Sequence, residues 1–226
     1  MSEVIYVIKN LCKSYQLDSY TLDILKNVNL SVKKGDSICI RGPSGSGKST
    51  LLNLMGSLDE PSSGERIFYG QDISSWTDQQ KAFFRRDKLG FVFQFHYLLK
   101  ELTVLENIQL PAYIANKPKK KSLERASFLA ETLGLKERLT HYPSQLSGGE
   151  LQRTSVARAL MNQPELILAD EPVGSLDKKN GLIIRDLFFE LQETFKISLI
   201  AVSHNSFFAD AFSSVLMLED GNLKAD

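Results

Sequence analysis

The sequence contains few cysteines, no excess charge of either sign and no long apolar run. Two of its 226 residues are cysteine, and Lys plus Arg and Asp plus Glu each total 27. Cys12 and Cys39 lie in apolar, strand-like runs without C-x-x-C spacing, which predicts two reduced core residues rather than a disulfide framework. The balanced charge excludes a net field that would draw the chain to nucleic acid or to an anionic membrane surface.

The apolar residues form neither a membrane span nor a leader. They make up 42% of the chain, which is typical of a soluble protein with one large or two small domains. No run approaches the roughly 20 residues that cross a bilayer. Residues 1–4 have neither the basic nor the apolar region of a secretory signal. We therefore expect a cytoplasmic protein.

A glycine-rich loop follows a short apolar run and precedes a predicted helix. The loop reads Gly42, Pro43, Ser44, Gly45, Ser46, Gly47, Lys48, Ser49 and Thr50. Its glycines let backbone N–H groups approach phosphate oxygens, and the helix that opens at Lys48 adds the positive end of its dipole. Lys48 supplies charge for the β- and γ-phosphates, and the Ser49 hydroxyl is placed to ligate Mg²⁺. The loop predicts a nucleoside triphosphate site rather than a chance Gly/Ser-rich turn.

A second glycine pair opens another predicted helix. Ser147, Gly148, Gly149 and Glu150 follow Leu146 and precede a run of good helix formers. Ser147 and Glu150 have the spacing of a capping box. Two glycines in a first turn cost about 1 kcal/mol each against alanine, however, which a cap alone does not require. Bare N–H groups at a helix N-terminus bind anions, so we predict a second phosphate contact here.

Two carboxylates end an uninterrupted apolar run at residues 166–171. The run predicts a buried strand of a parallel sheet, and such sheets bind ligands at the carboxyl ends of their strands. Asp170 is then expected to hold Mg²⁺ through water, and Glu171 to orient and deprotonate the attacking water. The alternative is a pair of helix-capping residues. The next predicted strand, 199–203, delivers His204 to the same edge, where it can contact the γ-phosphate.

The remaining pattern divides the chain into a core and a helical insertion. We predict strands at 4–8, 28–33, 38–41, 66–69 and 90–93, helices at 48–58, 151–162 and 180–195, a polar loop at 15–23 and a hairpin over 215–224. Residues 95–159 form a predicted helical segment, interrupted by a solvated, lysine-rich break at 117–121. We expect one domain over 1–226, in which 1–94 and 160–226 form the nucleotide-binding core and 95–159 a helical subdomain.

Six motifs follow one another along the chain: the loop at 42–50, Gln94, residues 146–150, residues 166–171, residues 175–177 and His204. In this order they resemble the motifs of the ATP-binding cassette (ABC) ATPases, and the resemblance covers nearly the whole chain. The resemblance implies an α/β fold of the P-loop NTPase class, with a mixed central sheet, an N-terminal antiparallel β subdomain and an inserted helical subdomain. It also implies a head-to-tail dimer that sandwiches two ATP molecules. Each ATP is held between the 42–50 loop of one subunit and residues 147–149 of the other.

The resemblance gives roles to further residues. Gln94 is similar to the family's glutamine that touches Mg²⁺ and the transmembrane partner, and His204 to its switch histidine. Asp177 is similar to the aspartate that communicates across the dimer. Tyr15 looks like the family's adenine-stacking aromatic, and Tyr20 is a nearby alternative that would also suit stacking.

A finer resemblance is to the lipoprotein-releasing, LolD-type subfamily, whose relatives include MacB-related macrolide exporters and a cell-division ATPase. It is carried by residues 90–99 and 103–107, which by the resemblance would face the transmembrane subunits. Three positions depart from the family pattern: Val173 stands where threonine is usual, Ser175 where asparagine is usual, and Asn205 where aspartate often follows the histidine. None of them removes a charged group assigned to chemistry, so they bear on the tuning of the dimer and of hydrolysis.

The resemblance predicts an ATPase subunit that uses ATP and Mg²⁺ at the cytoplasmic face of the inner membrane. It implies a homodimer bound to permease subunits that release acylated lipoprotein, with no nucleic-acid partner. A soluble kinase would have no use for the 146–150 motif, and a repair or translation cassette would need a coiled-coil insertion or tandem cassettes. A cell-division ATPase is the main alternative. A macrolide-type exporter would normally carry a membrane domain in the same chain, whereas this sequence ends at residue 226.

Overall fold

The computed structural model describes residues 3–225, so Met1, Ser2 and Asp226 of the predicted 1–226 domain lie outside the described residues. In chain order the elements are β1 (Val4–Gln16), β2 (Thr21–Lys33), β3 (Ser37–Arg41), α1 (Lys48–Met55), β4 (Ser63–Phe68), β5 (Gln71–Asp72), α2 (Asp78–Asp87), β6 (Leu89–Phe93), α3 (Val104–Ile114), α4 (Lys119–Thr132), α5 (Gly148–Leu160), β7 (Leu166–Asp170), α6 (Lys178–Phe195), β8 (Ser198–Val202), α7 (Ser206–Ala209), β9 (Ser214–Glu219) and β10 (Asn222–Ala225).

The described strands form two sheets. A six-stranded sheet has the order β10-β9-β3-β8-β7-β6; its neighbours are parallel except for the β9–β10 hairpin. A four-stranded antiparallel sheet has the order β2-β1-β4-β5. The predicted α/β fold, with its mixed central sheet and antiparallel β subdomain, is confirmed. Because β3, β6, β7 and β8 run in the same direction, their carboxyl ends meet at one edge.

The central sheet is buried on both faces. On β7, Leu166 and Leu168 contribute to the apolar cluster that includes the antiparallel sheet and α1. Ile167 and Ala169 point to the other face and join the cluster formed with α3 to α6. Side chains alternate along a strand, so a continuous apolar run fills two cores at once. This double burial fixes the position of Asp170 at the strand's end.

The first hairpin and the first helix differ from their predicted bounds. The strands predicted at 4–8 and 28–33 are each 13 residues long, and most of the predicted loop at 15–23 is ladder, since Gln16 pairs with Thr21. The helix predicted over 48–58 ends at Met55 because Gly56 caps it and Ser57 takes a left-handed φ of 53°. Cross-strand pairing sets the length of strands β1 and β2, and the tight turn at Gly56 and Ser57 sets the end of helix α1. Neither boundary follows from local hydrophobic periodicity.

Helix α2 was missing from the sequence-based prediction. It begins with a capping box in which Thr77 accepts from the Gln80 N–H and the Gln80 side chain accepts from the Thr77 N–H. The T-x-x-Q spacing was the available signal. Phe84 is the buried residue of this helix, so its apolar periodicity is too weak to reveal it.

The lysine-rich segment was predicted to be a break over 117–121, which is wrong for its second half. Lys119, Lys120 and Lys121 form the first turn of α4, and Pro118 is its N-cap residue. The helix continues because Ala126, Leu129 and Ala130, with Leu133 after its last turn, are buried in the core. Tertiary packing of that face outweighs the unfavourable local charge.

The cysteines are free thiols, and the prediction of two core residues holds for one of them. Cys39 is buried, and desolvation raises the pKa of its thiol to about 12. Cys12 is only half-buried, and its Sγ lies 3.4 Å from the Asn27 side-chain oxygen. None of the helices described between residues 3 and 225 is both long and apolar enough to cross a membrane.

Candidate nucleotide site

A groove of about 610 Å³ opens at the carboxyl edge of the central sheet. It brings together the loop after β3, the residue after β6, and the residues that follow β7 and β8. The lining residues are Ile24, Gly42, Pro43, Ser44, Gly45, Gly47, Lys48, Ser49, Thr50, Gln94, Glu171 and His204. The structure thus gathers most of the predicted site residues in one place.

The phosphate loop has the backbone geometry of an anion cradle. Gly45 and Gly47 have φ values of 80° and 97°, which L side chains rarely adopt, and a Cβ on Gly47 would lie 2.8 Å from Ile24 Cγ2. The nearly buried Lys48 ammonium donates to the carbonyls of Gly42 and Pro43 at 3.0 and 2.8 Å. Helix α1 has no side-chain cap. The N–H groups of its first turn therefore remain for a phosphate.

Oxygen ligands for a divalent cation converge beside this loop. The Ser49 hydroxyl donates to Asp170 Oδ1 at 3.1 Å, and burial raises the pKa of Asp170 above its usual range. Gln94 follows directly on Phe93, which pairs with Asp170 across the sheet. No group of three or more His, Cys, Asp or Glu side chains suited to a metal occurs within residues 3–225. The hydroxyl, carboxylate and amide oxygens suit Mg²⁺, which characteristically takes its other ligands from phosphates and water.

Glu171 and His204 form a hydrogen-bonded pair at the edge of the groove. Glu171 Oε1 lies 2.8 Å from His204 Nδ1 and also accepts from the His204 backbone N–H at 3.1 Å, while Oε2 accepts from the Ser203 hydroxyl at 3.1 Å. The Glu171 backbone is left-handed, with φ 45°, and its N–H bonds to the carbonyl of Val202. Such a conformation persists where the surroundings enforce it. Here it aims the carboxylate at the end of β8.

The glycine motif lies elsewhere on the surface described, because none of its residues lines the groove. The predicted capping box is confirmed: the Ser147 N–H donates to Glu150 Oε2 at 2.8 Å, and the Glu150 N–H to Ser147 Oγ at 3.4 Å. Hydrogen bonds from Ser147, helped by Arg138, lower the pKa of Glu150 to about 2. A Cβ on Gly148 or Gly149 would make only ordinary contacts of 3.4 Å or more, and neither φ is positive. The chain's own packing therefore does not require these two glycines.

Asp177 adjoins this motif rather than the groove. It is the N-cap of α6 and accepts from the Asn180 N–H at 3.0 Å, which depresses the pKa of its carboxyl. Leu176, its neighbour, is the side chain nearest to a Cβ built on Gly148. Of the three departures from the family pattern, Val173 is buried, Ser175 is exposed and Asn205 is the N-cap residue of α7.

The two tyrosines considered for adenine stacking both lie outside the groove lining. Tyr15 donates its hydroxyl to Asp59 Oδ2 at 2.9 Å, and Lys13 Nζ lies 4.6 Å from its ring centroid. Its hydroxyl also interacts with Thr50 of the phosphate loop. Tyr20 is in the β1–β2 turn and is exposed. Tyr15 thus lies near the phosphate loop, and its stacking role stays a prediction.

Sequence reasoning missed Arg158, which ties α5 to the segment after Gln94. Its guanidinium donates to the backbone carbonyls of His96 and Tyr97, both of which have positive φ. Desolvation lowers the pKa of Arg158 to about 10. The available signal was an arginine among the small apolar residues Val156, Ala157 and Ala159. The helix that starts at the glycine motif is thereby linked to the strand end that carries Gln94.

A glycine-rich loop between a parallel strand and a helix, with carboxylates ending a nearby strand, defines a phosphate-loop nucleoside triphosphatase. Residues 25–174 match the family model described as ABC transporter. The lipoprotein-releasing system ATP-binding proteins LolD of Syntrophus aciditrophicus (strain SB) and Legionella pneumophila (strain Lens) are each 44% identical to the chain. These alignments cover 96% of this chain and 97% of the first relative, and 100% and 99% for the second.

A solved structure gives the same result. The ATP-binding cassette MJ0796, in a dimeric post-hydrolysis state bound to ADP and Pi, is 37% identical, covers 98% of both chains and has a TM-score of 0.89. The chain belongs to the ABC transporter family and is an ATP-hydrolysing cassette of it, as predicted.

Proposed function

We propose that this chain is the ATPase subunit of an inner-membrane complex that releases acylated lipoproteins toward the outer membrane. The observation that carries the proposal is 44% identity to LolD proteins over essentially the whole length of both chains. The alignment with the Legionella pneumophila protein spans the whole chain and so includes residues 90–107, where partner specificity is expected. The identity to LolD proteins favours this function over the cell-division and macrolide-exporter alternatives, which none of the observations above supports separately.

The site supports a mechanism in which ATP binds first to the phosphate loop. The N–H groups of α1 and the Lys48 ammonium hold its phosphates, and Lys48 exchanges its two carbonyl partners for phosphate oxygens. Glu171 then accepts a proton from the attacking water. His204, which is hydrogen-bonded to Glu171, orients this water toward the γ-phosphate. We propose that Gln94 helps position this water, since it lines the same groove.

Mg²⁺ would be held by Ser49, Asp170 and Gln94, where it would neutralise charge that develops on the phosphates. The Ser49–Asp170 hydrogen bond supports this assignment because it brings a hydroxyl and a carboxylate to one point beside the loop. Ser49→Ala should require about tenfold more Mg²⁺ for half-maximal hydrolysis. An unchanged Mg²⁺ requirement would contradict the assignment.

We propose that the working form is a head-to-tail homodimer in which residues 147–150 complete the partner's site. The support is that this chain's own packing leaves room for a Cβ on Gly148 and on Gly149, while the solved relative MJ0796 is dimeric. A close approach of a second chain and its nucleotide explains why no side chain is present. Asp177 lies beside this motif and would then communicate across the dimer interface when the two subunits close on ATP. A Gly149→Glu variant that still dimerised with ATP would contradict this.

A second, apolar groove supports a permease partner. It has a volume of about 400 Å³ and is lined in part by Leu58, Phe91, Phe93 and Leu110. Ile114, which also lines it, is 62% exposed. We propose that a helix of the membrane subunit docks here, beside the segment after Gln94, and that residues 95–159 act as the subdomain that moves with it. The chain would thereby lie peripherally on the cytoplasmic face of the inner membrane.

The test uses Glu171→Gln as a trap for the ATP-bound complex in native membranes. The chain is purified with ATP present, and co-purifying proteins are identified by mass spectrometry. We expect multi-span membrane subunits together with lipoprotein, and depletion of the chain should leave lipoproteins in the inner membrane. Glu190→Gln, an exposed site on α6, is the matched control. Recovery of division-site proteins without lipoprotein would overturn the lipoprotein assignment and leave the ATPase assignment standing.

A further inference from the structure

The chain has no net charge, but its charges are not evenly distributed. Residues 115–128 contain five cations, namely Lys117, Lys119, Lys120, Lys121 and Arg125, and a single carboxylate, Glu124. All four lysines are exposed. Within the part of the chain that the structure describes, Lys119, Lys120 and Lys121 take part in no ion pair. We call the exposed surface around residues 113–123 the basic patch.

The position of these lysines opposes the stability of their own helix. The first turn of α4 is formed by residues 119–121. This turn contains no acidic residue, and the N-cap Pro118 gives no side-chain hydrogen bond. Cations at a helix N-terminus are repelled by the helix dipole, whereas carboxylates are favoured there. Three of the other long helices, α2, α3 and α5, begin with a capping box and an acidic first turn. Folding therefore gives no reason for three lysines at this position.

Apolar side chains are interleaved with the lysines. Tyr113 is 41% exposed, Ile114 62% and Leu123 44%. Ile114 also lines the apolar groove that we assign to the membrane subunit, so the basic patch continues directly from that proposed interface. Basic residues with interleaved apolar ones are typical of surfaces that lie at the boundary between lipid headgroups and acyl chains.

We propose that the basic patch binds the anionic phospholipid headgroups of the membrane surface beside the permease. The lysines would attract the headgroup phosphates, and Tyr113, Ile114 and Leu123 would enter the interfacial region. The inference rests on the proposed function for the presence of a membrane next to the docking groove. It assigns the chain a contact with the lipid itself, in addition to its contact with the protein partner.

The test is sedimentation of the purified full chain with vesicles. Neutral vesicles of phosphatidylcholine are compared with vesicles in which about one third of the lipid is phosphatidylglycerol. We expect binding to the anionic vesicles only, and loss of that binding when salt is raised from about 0.1 M to about 1 M, since screening shortens the Debye length from about 10 Å to about 3 Å. Equal binding to both vesicle types, or none to either, would overturn the proposal.

The variant Lys119→Gln/Lys120→Gln/Lys121→Gln should weaken binding to the anionic vesicles by about 100-fold, because each lysine near such a surface contributes about a factor of five. Its melting temperature should not fall, since the removed charges oppose the helix dipole. The matched control Lys26→Gln/Lys33→Gln/Lys224→Gln removes the same charge from exposed positions on other elements and should bind as the unaltered chain does. Replacing the three lysines of α4 by arginine should retain binding.

Two outcomes separate this proposal from its alternatives. If the triple glutamine variant binds anionic vesicles as well as the unaltered chain, the basic patch is not the site. If the unaltered chain binds a labelled single-stranded oligonucleotide through the same lysines but not the vesicles, the patch serves nucleic acid and the lipid proposal is wrong. Basal ATP hydrolysis by the isolated chain should be the same in all these variants. Failure of vesicle binding therefore leaves the proposed ATPase function intact.

Discussion

The Glu171 carboxylate and the His204 imidazole lie in direct hydrogen-bond contact, with 2.8 Å between Oε1 and Nδ1. The contact joins the residue after β7 to the residue after β8, and the His204 backbone N–H reinforces it at 3.1 Å. Because Nδ1 is engaged, Nε2 is the nitrogen left to face a nucleotide. His204 is 62% exposed in its side chain, whereas Glu171 is 14% exposed. The carboxylate is thus sheltered and the imidazole is presented to the groove.

Glu171→Gln should lower turnover by roughly 10² to 10⁴, about 3 to 5.5 kcal/mol, because the amide cannot accept the proton of the attacking water. ATP affinity should be retained, since Lys48 and the phosphate loop are unchanged. Steady-state hydrolysis and equilibrium binding of a fluorescent ATP analogue measure the two effects. Glu190→Gln on α6 is the control. Near-normal turnover in Glu171→Gln would contradict the assignment of Glu171 as the general base.

Removing His204 as well as the carboxylate should cost little more than removing the carboxylate alone. The two side chains form one hydrogen-bonded unit, and residues that act as a unit have non-additive effects on turnover. We expect His204→Ala to reduce turnover by about 10² and the double variant with Glu171→Gln to resemble the slower single variant. Hydrolysis rates of the four proteins in a double-mutant cycle measure this. Additive losses would show that the two residues act independently.

Lys48→Ala should weaken ATP binding itself. The Lys48 ammonium is nearly buried and donates to the carbonyls of Gly42 and Pro43. Its loss therefore removes the positive charge of the phosphate loop. We expect the dissociation constant for ATP to rise by at least tenfold, about 1.4 kcal/mol. Lys26→Ala, an exposed position on β2, is the control. Unchanged affinity in Lys48→Ala would contradict the cradle.

Arg158→Met should loosen the segment that follows Gln94. The substitution leaves the carbonyls of His96 and Tyr97 without their guanidinium donor, which should reduce the free energy of unfolding by about 2 to 4 kcal/mol. Amide hydrogen exchange should quicken at residues 95–99 more than in β7. Arg158→Lys should restore part of the protection, because an ammonium can bond one carbonyl but lacks the planar fork. An equal increase in the amide exchange rate across the whole chain would indicate a general loss of stability instead.

The capping box of α5 should contribute a pH-dependent part of stability. The pKa of Glu150 is lowered in the folded chain to about 2. A depressed carboxyl pKa stabilises the fold above the unfolded value of about 4.3, and this stability is lost as pH falls toward the folded value. The melting temperature of the unaltered chain should therefore exceed that of Glu150→Gln most above about pH 5. The difference should shrink between about pH 4 and pH 2. A difference independent of pH would show that the charge of Glu150 is not responsible.

Local signals in the sequence were sufficient for the central elements. The apolar run at 166–170 forms a doubly buried strand, and the Ser147–Glu150 spacing forms the capping box. The capping box depends on interactions within a few residues, which the spacing of Ser and Glu indicates. The strand depends on burial on both faces, which an uninterrupted apolar run indicates. The long first hairpin and helix α2 were not found in this way. The hairpin is held by partners on the neighbouring strand, and α2 has too few buried residues for its periodicity to show.

The lysines at 119–121 show most clearly where prediction from local sequence patterns fails. Their charge predicts a solvated break, yet they belong to a helix because Ala126, Leu129 and Ala130 further along it pack into the core.

The sequence by itself determined the class of site: a phosphate loop, a strand that ends in two carboxylates, a histidine after the next strand and a glycine motif at a helix start. These follow from short-range chemistry, in which residue type and spacing dictate what a backbone can bind. Only the tertiary structure decided that Glu171 pairs with His204 and that Arg158 links α5 to the segment after Gln94. It also decided that the packing of the chain leaves room for a Cβ on Gly148 and Gly149. Such relationships join residues distant in sequence, and strand order and helix packing, not local pattern, set the distances between them.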